Sequence, residues 1–153
     1  MKTMKIFLLA LFASASVFTA KADDDRPIAI DQLPAKAQQF IQTHFKDLEV
    51  SYATVDRDYF DKSYEVRFVN GTKVEFHADG QWDNVDCHKE AVPAGIVPAQ
   101  IVEYVKNNHP DHIIVEIDKD RRGYEINLRN NANPRNEIEI KFNRNFQVIG
   151  YDD

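Results

Sequence analysis

The chain has 153 residues, 43% of them hydrophobic and 29% charged, with 19 Lys plus Arg against 25 Asp plus Glu. That composition describes one ordinary globular domain, or two very small ones, and excludes a collagen, a coiled-coil rod, a low-complexity tail and a polytopic membrane protein. The net charge of −6 argues against nucleic acid as a partner, because phosphate binding needs a basic footprint.

Residues 1–22 read as a secretory signal peptide. Lys2 and Lys5 supply the positive start, Ile6 to Ala13 the apolar run, and Ala20-Lys21-Ala22 the small residues of a cleavage site. The apolar run is too short for a stop-transfer helix across a bilayer core of about 30 Å, so no membrane insertion is expected after cleavage. Removing these 22 residues leaves 131; the leader carries three Lys and no acid, so the net charge falls from −6 to −9. Export permits disulfides, but Cys87 is the sole cysteine and can make no internal bridge. The mature fold must therefore rest on its hydrophobic core. At this size it can bury roughly two-thirds of its unfolded surface. Asp23-Asp24-Asp25 is expected to be a solvated terminus.

The chain then repeats itself. Leu33, Ala37, Phe40, Ile41 and Phe45 fall at offsets 0, 4, 7, 8 and 12, and Val97, Ile101, Tyr104, Val105 and His109 do the same 64 residues later. Each set is one face of a helix. Pro34 and Pro98 suit a first helical turn, where a missing N–H costs nothing, and Pro110 helps to end the second helix. Strand signals follow each helix. Val50 to Val55 and Ile113 to Ile117 are β-rich, while Tyr64, Val66 and Phe68, and Tyr124, Ile126 and Leu128, alternate with polar residues. Such alternation predicts an antiparallel sheet with one buried face. Asn70-Gly71 predicts a tight hairpin, and Asn70-Gly71-Thr72, though also a glycosylation sequon, needs no reading beyond that turn. Val74 and Phe76 precede a turn at Asp79-Gly80, with Trp82 and Val85 beyond it; Ile138, Ile140 and Phe142 precede Asn143 to Asn145, with Phe146 to Tyr151 beyond. Phe146 stands where the first copy has Gly80, so that turn is expected to differ.

The expected fold is α+β: tandem helix-plus-four-strand units over about 28–86 and 97–152, joined by residues 87–96, with both helices on one face of an antiparallel sheet. Glu65, Arg67, Lys73, Glu75, Glu125, Asn127, Arg129, Glu137, Glu139 and Lys141 would then share the opposite, solvated face. Residues 23–153 would form a single domain.

This pattern resembles a known family. The Leu-Pro helix start, Tyr64 to Gly71 and Val74 to Trp82 look like the PepSY-like domains of exported bacterial proteins, described as β-lactamase-inhibitor-like; Val97-Pro98, Tyr124-Glu125-Ile126 and Ile140-Lys141-Phe142-Asn143 match more loosely. The resemblance spans roughly residues 28–152. It implies a periplasmic location, in bacteria of the Bacteroides type, and a role in restraining other proteins. Its matching positions are core and turn residues, so it assigns no contact residue.

The residues themselves offer little catalytic chemistry. Ser51 and Ser63 stand outside any Gly-x-Ser-x-Gly elbow, and Cys87-His88 are neighbours, which on a strand point to opposite faces. No catalytic residue and no cofactor are expected. His109-x-x-His112 lacks the spacing of a zinc motif, with Pro110 between its members. Counted from Asp56, Asp56-x-Asp58-x-x-Asp61 places Asp61 and Arg67 where an EF-hand needs Gly and Glu. No metal site is therefore predicted. Tyr59-Phe60 between Asp58 and Asp61, at a hairpin tip, has the make-up of a protein-binding hot spot. Candidate partner-binding residues are Asp58, Tyr59, Phe60, Asp61, Glu65, Arg67, Glu75, Trp82 and Arg129. The sequence reading is a non-enzymatic periplasmic module that binds an exported protein, a hydrolase or protease; the alternative is a module for a small ligand or metal ion.

Overall fold

The computed structural model describes residues 25–58 and 60–152. The proposed signal peptide, Asp23, Asp24 and Tyr59 lie outside them. The chain opens with a short strand β1 (Arg26–Ile28) and a 3-10 turn (Ile30–Gln32), then α1 (Ala35–His44). Four strands follow: β2 (Val50–Arg57), β3 (Lys62–Phe68), β4 (Lys73–His77) and β5 (Trp82–Asp86). Helix α2 (Ala99–Asn108) precedes β6 (His112–Lys119), β7 (Gly123–Asn130), β8 (Glu137–Asn143) and β9 (Val148–Asp152). All nine strands form one antiparallel sheet in sequence order, β1 to β9.

The apolar residues of the alternation face one core. Val66, Val74, Phe76, Val85, Ile117, Ile126, Leu128 and Ile140 are fully buried, together with Ala37 of α1 and Ile101 of α2. Phe40 of α1 sets its ring edge-on to Phe76 at 5.7 Å, and Tyr104 of α2 does the same to Phe142 at 5.4 Å. Such aromatic pairs add about 0.5–1.5 kcal/mol beyond area burial.

Strands β5 and β6 carry the sheet through its middle, pairing Asn84 with Asp118, Val85 with Ile117 and Asp86 with Glu116. The β4–β5 pair slips by one residue between Glu75 and Phe76, and the β8–β9 pair slips between Lys141 and Phe142. Each slip is a bulge, which bends a strand and sharpens its twist.

The turn at Phe146 corrects the sequence expectation. Gly80 adopts φ +83 and Phe146 φ +61, both left-handed. The Gly80 N–H donates to His77 O at 2.9 Å and the Phe146 N–H to Asn143 O at 3.0 Å, so both hairpins use one turn. Phe146 bears the left-handed strain while its ring stacks on Tyr124 at 5.6 Å.

Candidate functional site

Strand register builds a polar surface that alternation along any one strand cannot reveal. Side chains directly opposite one another across a sheet share a face. One row runs Thr54, Glu65, Glu75, Asn84, Asp118, Glu125, Lys141, Gly150 from β2 to β9. The row beside it runs Tyr52, Arg67, Lys73, Asp86, Glu116, Asn127, Glu139, Asp152. Together they hold eight carboxylates and three cations. This face is therefore strongly acidic, and it is the side of the sheet away from the packed valines and phenylalanines.

Its flanks are ion-paired. Arg67 Nε reaches Glu65 at 2.8 Å and Lys73 Nζ reaches Glu75 at 2.7 Å. Lys141 Nζ contacts Glu139 at 2.8 Å and Asp152 at 2.6 Å. Burial works to lower the Lys73 ammonium's pKa, but Glu75 outweighs it and holds it above the ordinary lysine value.

The centre is organised by an amide instead. Asn84 is 6% exposed. Its Nδ2 donates to Glu116 Oε1 and to Asp118 Oδ1, both at 2.8 Å, and Asn127 Nδ2 donates to Glu116 Oε2 at 2.6 Å. Two carboxylates on one strand are thus held side by side by neutral donors. Burial, with the charges of Glu116 and Glu75, pushes the Asp118 carboxyl above the ordinary range against the lowering effect of Asn84. Burial and Glu139 raise Glu125 in the same way. A depression of about 480 Å³, lined in part by Asp118, Glu125, Lys141 and Ile149, opens beside this cluster.

Of the sequence-predicted residues, Glu65, Arg67 and Glu75 stand on these rows. Arg129 pairs with Glu137 one step further along the same face. Asp58, Phe60 and Asp61 lie in the β2–β3 connection, where Phe60 is fully solvent-exposed. Trp82 is not among them in space. Its ring stacks on Phe40 at 6.1 Å, and Lys119 Nζ lies 4.3 Å from its centroid. Asn84, Asp86, Glu116 and Asp118 were missed by sequence reasoning. The available signal was Glu116-Ile117-Asp118, a polar pair flanking a buried residue at period two.

Catalytic geometry is lacking among the described residues. Cys87 is buried, and that burial pushes its thiol pKa up to about 11, which suppresses the thiolate at neutral pH. No described group of three or more His, Cys, Asp and Glu side chains is disposed to hold a metal ion. No described helix is long and apolar enough to cross a membrane.

These features define an α+β module with an open acidic sheet face. The chain belongs to the PepSY-like family, whose description is "Putative beta-lactamase-inhibitor-like, PepSY-like" and whose profile matches residues 62–150. It is similar to a DUF2874-family periplasmic protein from Bacteroides vulgatus, at 46% identity, TM-score 0.79, over 86% of this chain and 99% of that one. A second similar structure, at 45% identity and TM-score 0.80 over 86% and 99%, is described as a "putative calcium-regulated periplasmic protein" from Bacteroides thetaiotaomicron. A third, at 30% identity and TM-score 0.76 over 84% and 99%, is a periplasmic protein of unknown function from Bacteroides vulgatus. No curated protein matches the chain. The family and these relatives place it as a periplasmic or secreted protein, and their descriptions name no enzymatic activity.

Proposed function

We propose that this protein is a non-enzymatic periplasmic binding module whose acidic sheet face takes the basic surface of an exported protein, a hydrolase or protease that it restrains by occlusion. The observation that carries this reading is the pair of in-register carboxylate rows, eight acids against three cations. Charge of one sign on a broad face steers an oppositely charged partner and sets register more than it sets raw affinity. The exposed Phe60 beside Asp58 and Asp61 supplies an apolar anchor at the rim.

In the same reading, residues 1–22 are a removed leader and 23–153 one domain. That domain is two copies of a helix-plus-four-strand unit, 28–86 and 97–152, with both helices on one face so that the other stays free. The matching bulges of β4–β5 and β8–β9 support this.

Affinity capture from periplasmic extract tests the proposal. A stoichiometric basic partner should be retained at low salt. It should be lost with Glu65→Lys plus Glu75→Lys, and weakened with Tyr59→Ala plus Phe60→Ala. Capture of nothing, with no change in any periplasmic hydrolase activity, would overturn it.

A second reading is favoured by Glu116 and Asp118, held together by Asn84, and by the relative described as calcium-regulated. Here the face takes a hard divalent cation, for which carboxylate and amide oxygens are the suited ligands. Native mass spectrometry with and without chelator separates the two: a retained stoichiometric ion selects this second reading.

A further inference from the structure

His109 closes α2 and His112 opens β6, with the His112 N–H donating to His109 O at 3.0 Å across the intervening Pro110-Asp111. Their rings approach to 5.8 Å between centroids, at 82° to one another. His109 Nε2, His112 Nδ1 and His112 Nε2 are all removed from solvent without a hydrogen-bond partner among the described residues. Burying a polar nitrogen unpaired is costly, so the imidazoles are poor choices for packing alone.

The first half of the chain shows what packing alone uses. Phe45 and Leu48 stand 64 residues before His109 and His112. The Leu48 N–H donates to Phe45 O, also at 3.0 Å, and both side chains join the apolar core. One turn therefore carries Phe-x-x-Leu in one place and His-x-x-His in the other. The backbone does not require imidazole.

We propose that His109 and His112 form a binding site for a borderline divalent transition-metal ion, with Zn²⁺ as the test case. The geometry fits. A zinc–imidazole bond of about 2.0–2.1 Å puts each ring centroid about 3.2 Å from the ion, so two rings at an angle near 130° stand about 5.8 Å apart. Neutral imidazole is a preferred ligand of zinc, copper and nickel. The remaining positions belong to water, since no third His, Cys, Asp or Glu completes the set. A groove of about 1250 Å³ between α2, residues 91–98 and the start of β6 has both histidines in its wall, and it supplies the entry path. This site does not rest on the sheet-face reading.

The test is calorimetric titration of the exported protein, purified without a histidine tag, with Zn²⁺ alone. Imidazole nitrogen shifts are followed by NMR in parallel. One equivalent should bind, with the nitrogens of both histidines shifting together. His109→Phe with His112→Leu, which copies the first turn and should fold by circular dichroism, should weaken binding by more than about 100-fold, since even indirect changes around a metal cost roughly 10–100-fold. His112→Gln, which keeps a polar side chain, should also lose the stoichiometric event. No stoichiometric binding would overturn the proposal. So would binding that survives the double substitution, which would place the ion elsewhere, with the sheet carboxylates first in line.

Discussion

Replacing Asn84 by aspartate tests the centre of the acidic face. Asn84→Asp removes both amide hydrogen bonds, to Glu116 and Asp118, each 2.8 Å in the native protein. Hydrogen bonds to charged groups contribute about 1.5–3 kcal/mol each, so two set a range of about 3–6 kcal/mol. Glu116 and Asp118 are half-buried and recover some water, so the lower end applies, about 3 kcal/mol at pH 7. A third carboxylate at that spot would face two others at close range, and it responds by keeping its proton. A protonated carboxyl carries one O–H donor. One of the two lost bonds then returns, and the cost falls to about 1.5 kcal/mol near pH 5. The sign follows from linkage: a carboxyl whose pKa is raised on folding contributes its stability at low pH and loses it as pH rises through the folded value. Urea unfolding at pH 7 and pH 5 reads the effect. With a slope near 2 kcal/mol/M, the pH 7 midpoint should drop by about 1.5 M. Asn84→Leu, which offers no donor at either pH, should lack the acid recovery relative to the parent. The reasoning is refuted if Asn84→Asp costs less than about 1 kcal/mol at pH 7, or the same at both pH values.

Four further outcomes follow from the same geometry. Gly80→Ala should destabilise by about 2 kcal/mol or more, read as a lower Tm, because its Cβ would sit 2.7 Å from Pro34 Cβ at φ +83; a change under about 0.5 kcal/mol would contradict the close approach. Stability measured in a His109→Phe background should rise as pH falls from 7 toward 5, because burial raises the carboxyls of Asp83, Asp118 and Glu125, and should fall below about pH 3.8 as Asp79, Asp120 and Asp152, whose values are lowered, take up protons. The background matters because burial and His112 lower the His109 pKa, so that group loses stability as pH falls, the opposite sign. Cys87 should resist iodoacetamide at pH 7.5 in the native protein and react fully in denaturant, as mass spectrometry would show; native labelling would contradict its burial and its pKa of about 11. Phe60→Ser should leave the unfolding midpoint within about 0.5 kcal/mol of the parent while reducing partner capture.

Much of the architecture was legible because its signals are local. Helical spacing placed α1 and α2, and period-two alternation with Asn70-Gly71 and Asp79-Gly80 placed β2 to β5 and the strands after α2. The export reading rests on the same kind of evidence. What failed to show was non-local. β1 carries only three residues, too few for alternation to register. The turn at Phe146 looked different because glycine is the usual holder of left-handed φ, yet stacking on Tyr124 and the Asn143 hydrogen bond hold the same conformation without it.

The sequence by itself determined which face of each strand is apolar, because side chains alternate along any extended chain. It could not determine which strand lies beside which. Asn84 meets Asp118 across 34 positions of sequence, through the β5–β6 pairing in mid-sheet. Only that pairing turns scattered acidic residues into two continuous rows. The histidine turn divides the same way: the spacing of His109 and His112 is written in the chain, but the burial that leaves their nitrogens unpaired exists only once α2 and β6 are packed.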